Sequence, residues 1–563
     1  MRWKVPFYIF VASLNAQPQQ PAPTEPSILP QEDLCSLEGI VRHAATGQPL
    51  NRVMILLRSV TPGNELPPLS TLTNAEGRFA MKGIDPGPYR ISAERTGYVR
   101  TEYGARPGMV IGAAGTTIRL ERGQNLKSIE ISMPPQAVIT GRIRDEAGEP
   151  VQGVTVIVLR KQYIQNRKQL TPIAQATTND LGEYRVFGLA AGKYFLSVSP
   201  NVRGQAISYS ADRSANAVPD EEPVVTYYPG TVDVASATQI NVVAGSITEG
   251  MDIAMRRVRT FRISGRVLGL KIGGRGYVYL QPKDSITVGP ERSMARFRLN
   301  TGEFEIRGAR PGKYILTTDL YSDPGGRLSG RVEVEVGEHD VSSVSLSLVP
   351  AFAVKGIIRP EETSSLNRLQ FNRASISLAM INSPVYGGFG TQPRDGGTFS
   401  IDNLGPGEYS LQVYGLPAGS YLKSARLGET NLLENHLDLT QPQSGDVSGV
   451  ELVVSTAAAK LSGDVTGADG NPLRGSTVVL RTANPKLTLM EGLIKTATTD
   501  QNGKFEMESL APGDYRLLAF ESIDPADARD PEIFQEYESK SVKLTLKESA
   551  QERQSLKAVV RTE

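Results

Sequence analysis

The sequence predicts an all-β protein made of five tandem antiparallel β-sandwich domains in an elongated array. Three observations predict it. One set of glycine, aromatic and tyrosine anchors occurs five times at fixed internal spacing. Apolar residues alternate around those anchors with period two, the pattern of strands with one buried face. Glycine and proline, 55 and 37 of 563 residues, punctuate a chain rich in Val, Ile, Leu and Thr, as short strands joined by tight turns require.

The first element is the N-terminal run "MRWKVPFYIFVASLNAQPQQPAPTEP". Arg2 and Lys4 precede an apolar stretch too short to span a bilayer, so residues 1–16 read as a secretory signal. Residues 17–34 are rich in Pro and Gln and read as an extended linker. The expected location is therefore secreted, periplasmic or cell-surface. Cys35 is the single cysteine, which excludes an intrachain disulfide and a thiolate metal cluster. It reads as a small apolar residue near the first strand, or as a free thiol that pairs two chains.

The repeat comes next. "NAEGRFAMKGIDPGPYRISA" starts at Asn74, and its counterparts start at Asn179, Asn300, Asp395 and Asp500. Gly77, Gly182, Gly302, Gly397 and Gly503 each stand two residues before an aromatic: Phe79, Tyr184, Phe304, Phe399 and Phe505. Ten residues further on are Tyr89, Tyr194, Tyr314, Tyr409 and Tyr515, each two after a glycine. Asn or Asp leading into Gly reads as a hairpin turn, with the side chain bonding local backbone and glycine at positive φ. Pro-Gly ahead of the tyrosine fits a type II turn. The tyrosines open alternating strands and are expected in cores.

About 40 residues upstream of each turn lies a Gly-x-[Ile/Val] landmark: Gly39, Gly141, Gly265, Gly356 and Gly463. The expected domains are 35–135, 136–258, 259–350, 351–458 and 459–563. Each has the size and strand rhythm of a sandwich that buries its own core. Long helices are not indicated. The segment 160–170 reads as one helical turn or a long loop, and 525–538 as a short helix.

These residues resemble the carboxypeptidase regulatory-like domain. "TNAEGRFAMKGIDPGPYRISAERTGYV" is similar to its second half and "ITGRIRDEAGEPVQGVTVIVLR" to its first. The third and fourth units lack the Gly-x-Pro turn of the first half. The resemblance implies a prealbumin-like, immunoglobulin-like sandwich that serves as a non-catalytic extracellular accessory module. By family analogy the partner is a polysaccharide, or else a cell-surface or extracellular protein.

The chemistry-bearing residues support no enzyme. His43, His339 and His436 fall in separate units, with no HExxH zinc motif and no G-x-S-x-G nucleophile elbow. No cofactor and no metal site is expected. "TTDQNGKFE" lacks the full calcium-loop ligand series and reads better as a turn. With Lys+Arg 61 and Asp+Glu 60 there is no global field to attract nucleic acid. The candidate ligand contacts are aromatics outside the repeat: Tyr103, Tyr227, Tyr228, Tyr386 and Phe389. Exposed flat rings can stack on the apolar faces of sugars. Glycan binding summed by avidity is one expectation, and a mechanical stalk or protein-binding adhesin is the other.

Overall fold

The computed structural model describes residues 33–60, 67–105, 115–164, 167–200, 221–270, 276–283, 293–322, 326–362, 371–381, 388–441, 445–484, 487, 494–524 and 527–561. The expected signal and residues 17–32 of the linker lie outside the described residues. In the first repeat unit the strands are β1 (Cys35–His43), β2 (Met54–Ser59), β3 (Leu69–Leu72), β4 (Arg78–Ile84), β5 (Gly87–Glu94), β6 (Thr101–Glu102), β7 (Ile118–Leu120) and β8 (Asn125–Met133). One sheet has the order β4-β1-β8. The other runs β3-β2-β5-β6, with β7 also on β5. Leu37, Val41, Phe79, Met81, Ile91 and Ile131 meet between the sheets, alternate residues of their strands as the period-two pattern requires. Cys35 is buried in this core, its thiol donating to the Glu121 carbonyl. The same two-sheet plan recurs downstream, each time around its own core.

The two landmarks of the repeat turn out to be partners. Gly39 lies opposite Phe79 across the β1–β4 ladder, and the pairs Gly141–Tyr184, Gly265–Phe304, Gly356–Phe399 and Gly463–Phe505 match it. A Cβ at Gly39, Gly356 or Gly463 would stand 2.6 to 2.7 Å from the facing ring, and each would also run into a backbone carbonyl of the neighbouring strand. The aromatic ring fills the space that a glycine side chain leaves open, which is how a ring compensates a strand glycine.

The repeat tyrosines are buried as expected, and their hydroxyls show why tyrosine is used. Each donates to the carbonyl four residues earlier: Tyr89 to Asp85, Tyr194 to Ala190, Tyr314 to Arg310, Tyr409 to Gly405 and Tyr515 to Ala511, at 2.7 to 3.0 Å. The bond closes the corner between two strands and satisfies a buried phenol. Burial pushes the Tyr409 and Tyr515 phenols up to about 12.

In several places the structure differs from the sequence expectation. The Asn-Gly turn is not a hairpin, because β3 and β4 lie in opposite sheets, and so do β4 and β5. Both turns carry the chain across the core. The Asn-Gly turn does keep its predicted local chemistry: Asn74 Oδ1 accepts from Glu76 and Arg78 N–H, and Gly77 has φ 71°. Asp500 does the same for Asn502 and Lys504, so the faint calcium loop is a turn held by its own backbone. The Pro-Gly glycine is not the φ ≈ +80° residue of a type II turn. Gly87, Gly192, Gly312 and Gly513 have φ of 150° to 155° and open the next strand. The left-handed residue stands four earlier, at Gly83, Gly188, Gly308, Asn403 and Ser509, beside a ladder shift. These are bulges that turn the strand out of its sheet.

The sandwiches are antiparallel except where the first strand of each unit meets the last, a single parallel ladder in four units and two short ones in the second. β1 runs parallel to β8, and Phe261–Leu268 is likewise parallel to Val341–Ser347, and Ala459–Thr466 to Gln551–Lys557. First and last strands that run the same way bring the chain in at one end of a unit and out at the other, which suits a tandem chain. Residues 160–170 are neither a helical turn nor a long loop. Strands Thr155–Ile164 and Arg167–Thr177 pair as one long hairpin. The short helix is present as α1 (Pro531–Glu536), capped by Asp530.

The array is not simply elongated. The fifth unit contacts the fourth and also folds back onto the first and second. Arg119 pairs with Glu506 at 2.7 Å, and Arg160 with Asp524 at 2.9 Å. Lys168 reaches Asp530 and Glu532 at the start of α1.

Candidate binding cleft

In the first, second and fifth units the turn Asn or Asp bonds local backbone, and in all five the repeat tyrosine hydroxyl does. A buried threonine extends this in the first, second and fifth units. Thr73, Thr178 and Thr499 each precede the turn Asn or Asp, and each hydroxyl donates to the carbonyl of Leu50, Val151 or Leu473. The same oxygens accept from Val53, Val154 and Ser476 N–H, which ties the Gly-x-Pro turn to the next strand. Leu299 and Arg394 stand at this position in the other two units. The Thr-Asn and Thr-Asp dipeptides were the signal for the clasp.

The aromatic candidates divide. Tyr227 is fully buried, packed with Ile157, Leu159 and Leu170 on the outer face of one second-unit sheet. Tyr103 is buried in the first core, with the Arg474 guanidinium of the fifth unit 5.8 Å from its ring centroid. Neither ring is open to a sugar face, which corrects the expectation for both. The reason is that the short strands Thr101–Glu102 and Thr226–Tyr227 pair with the tyrosine strand of their unit, so Tyr103 enters the first core and Tyr227 packs onto the outer face of its sheet. Tyr228 is half-buried against the second core, after which the chain passes through a cis bond to Pro229. Phe389 is half-buried, and its ring carries the Arg327 guanidinium at 4.9 Å. Arg327 also binds Asp319 and donates to the Asn403 carbonyl, so Phe389 belongs to the joint between third and fourth units. Tyr386 lies outside the described residues. The candidates are not brought together into one surface.

Residues that differ between units are spent largely on joints. Gln136 Nε2 donates to Tyr98 O, fixing the first linker, and Arg310 Nη1 donates to Val232 O between second and third units. Arg160 and Asp524 form the most buried of the inter-unit ion pairs, their side chains 15% and 9% exposed. None of these pairings has a sequence signal. Arg474, Arg327, Arg160 and Lys168 are single charged residues in a chain that holds many.

A concave space among the described residues lies between units. A cleft of about 750 Å³ opens between the fourth and fifth, within the size range of small-ligand sites. Leu416 and Leu422 stand on one wall and Leu510 and Pro512 on the other. Tyr421 Oη lies 3.3 Å from Glu548 Oε1, and Lys423 Nζ reaches Glu548 at 2.9 Å and Glu361 at 2.5 Å. These bonds hold the Lys423 ammonium above its usual range, hydrogen bonding to Glu361 being the largest cause. Lys495 also lines the cleft, and desolvation by the surrounding walls lowers its pKa. Among the described residues no group of three or more His, Cys, Asp or Glu is gathered to hold a metal.

Residues 36–133, 138–255 and 460–533 match the model of the carboxypeptidase regulatory-like domain, together more than half of the chain. The matched units are the three that carry the threonine clasp. A search of curated proteins finds no match. Among solved structures, a streptococcal ancillary pilin is 11% identical, aligning 54% of this chain with 99% of its own at a TM-score of 0.19. The minor pilin GBS52 of Streptococcus agalactiae is 12% identical over 40% of this chain and 96% of its own, TM-score 0.21. BcpA, the major pilin of Bacillus cereus, is 9% identical over 93% and 99%, TM-score 0.14. At such scores the whole chains do not superpose.

Proposed function

From the premise that this chain belongs to the carboxypeptidase regulatory-like domain family, we propose a non-catalytic binding scaffold that works outside the cytoplasm. Its modules are bounded near 35–135, 136–258, 259–350, 351–458 and 459–563. The observation that carries this reading is the fate of the repeat. In the first, second and fifth units its Asn, Asp and Thr groups bond backbone, in all five its Tyr hydroxyl does, and unit-specific charges fix one unit against another. Such a molecule holds surfaces in a set relation and makes no bond of its own. A free stalk fits less well, because the fifth unit is tied to the first and second. Among the described residues no helix is long and apolar enough to cross a membrane.

The ligand class proposed is glycan, carried over from the family resemblance. With Tyr103 and Tyr227 buried and Phe389 held at a joint under Arg327, Tyr228 is the described candidate ring left to contact it. Pull-down on insoluble polysaccharides tests this. Retention that drops in Tyr228→Ala supports it. No retention on any polysaccharide removes glycan and leaves a scaffold for proteins. Small-angle scattering tests the scaffold itself: the chain should give one compact envelope, and the profile of five independently moving beads would sink the reading.

A further inference from the structure

We infer that the cleft between the fourth and fifth units is a binding site for an amphipathic acid, a carboxylate on an aliphatic body. The inference goes beyond the scaffold reading and does not depend on the glycan. Three observations carry it.

The first is the wall chemistry. Leu416, Leu422, Leu433, Ile494, Leu510 and Pro512 face the cleft, all of them aliphatic. Tyr414 is the one lining ring among these residues with substantial exposure, 48%. Tyr421 and Tyr515 are buried, with their hydroxyls already bonded to Glu548 and to the Ala511 carbonyl. Ser420, Thr496, Ser509 and Glu548 line the cleft as well, so the aliphatic strip has a polar border. An alkyl chain can lie along the strip, while a sugar finds one exposed ring, Tyr414, to stack on.

The second is the charge. Three cations line the cleft: Lys423, Lys495 and Arg529. Lys423 is balanced by Glu361 and Glu548. Lys495 and Arg529 meet no acid among the described residues. The acids nearest Arg529 in sequence are engaged elsewhere: Asp530 and Glu532 with Lys168, Asp527 with Arg561, and Asp524 with Arg160. Lys495 and Arg529 keep solvent contact, and a carboxylate carried in on an aliphatic body would meet two cations that no acid balances.

The third is that the cleft is framed by a joint. Glu548 binds both Tyr421 and Lys423 across the two units, and Gly419 N–H donates to Ser509 Oγ at 3.1 Å. The walls are thus held apart at a set distance before any ligand arrives, so little ordering cost falls on binding.

The test is calorimetric titration of the full chain with sodium dodecanoate below its micelle concentration. Dodecyl maltoside serves as the neutral counterpart and tetragalacturonate as the acidic sugar. Dodecanoate should bind, and the double variant Lys495→Gln plus Arg529→Gln should weaken it by about tenfold or more. Both residues are exposed, so the fold should survive; an unchanged thermal transition verifies that. Lys82→Gln, a distant surface change, should leave affinity as it was. No binding of dodecanoate overturns the inference, and so does undiminished binding in the double variant. Equal affinity for dodecyl maltoside removes the role of charge. Stronger binding of tetragalacturonate removes the aliphatic body.

Discussion

The repeat core and the fifth-unit joint are two ways of holding this molecule together, and they contrast. In the core, the same few residue types do the same work in each unit. Glycine faces an aromatic across a ladder, and tyrosine closes a corner on the carbonyl four residues back. At the joint, each contact is made once. Arg160 meets Asp524, Lys168 meets Asp530, and Arg474 covers Tyr103, at positions the other units do not repeat. Core stability rests on shape and burial, which tolerate little change. Joint stability rests on individual charges whose worth depends on how far water is excluded.

The comparison can be broken first at its strongest point. Gly356→Val places a side chain against the Phe399 ring and the Val450 backbone. Neither can move without opening a ladder, so a loss of about 4 kcal/mol or more is expected in that unit. Hydrogen exchange should show residues 351–458 unprotected while the first unit stays protected. Global collapse instead would mean that the units do not fold separately.

Arg160→Ala comes next. It removes the guanidinium from the Asp524 carboxylate, which is 9% exposed, and about 3 kcal/mol of docking should be lost. The fifth unit should swing free of the second in scattering while every core stays intact. Acid acts on the same joint through Glu532, whose carboxyl is held below its usual range by Lys168. That contribution is complete at neutral pH and is lost as pH falls through the lowered value. Scattering profiles collected on acidification should therefore expand before the cores melt.

Tyr409→Phe sharpens the comparison from the core side. It keeps the ring and deletes the bond to Gly405, so about 1 to 2 kcal/mol should go, seen in denaturant melts. The sign of the alkaline effect follows from the same group. Its folded pKa of about 12 exceeds the unfolded value near 10, so its stabilisation holds below pH 10 and fades as pH climbs toward 12. The smallest effect belongs to Arg119→Ala. Its pair with Glu506 is 62% and 44% exposed, so it should matter by less than about 1 kcal/mol and vanish in salt. An effect as large as that of Arg160→Ala would show that exposure does not set the worth of these joints.

The same contrast explains what was legible in the sequence. Repetition made the core readable, because five aligned copies separate Gly77, Phe79 and Tyr89 from the residues between them. It could not show which sheet each strand joins, so the Asn-Gly turn reads as a hairpin and the Pro-Gly step as a type II turn, where both cross between sheets. The left-handed bulge was visible in principle at Gly83, Gly188, Gly308 and Asn403, residue types that tolerate positive φ, and hidden only at Ser509. Aromatics such as Tyr103 and Phe389 looked like ligand contacts because they break the repeat. Breaking the repeat marks a joint as readily as a site, and only the arginine from another unit decides between them. The cleft was invisible, since Lys495 and Leu416 come from different units and neither belongs to a motif.

The contacts of the fifth unit with the first and second join residues 387 and 364 positions apart. They can be made only after everything between has been synthesised and packed to its proper span. A missing or misfolded third or fourth unit would leave Arg160 and Lys168 facing water. The docked state therefore acts as a checksum on the whole chain, and a protease that reads exposed hairpins would be handed the incomplete copies.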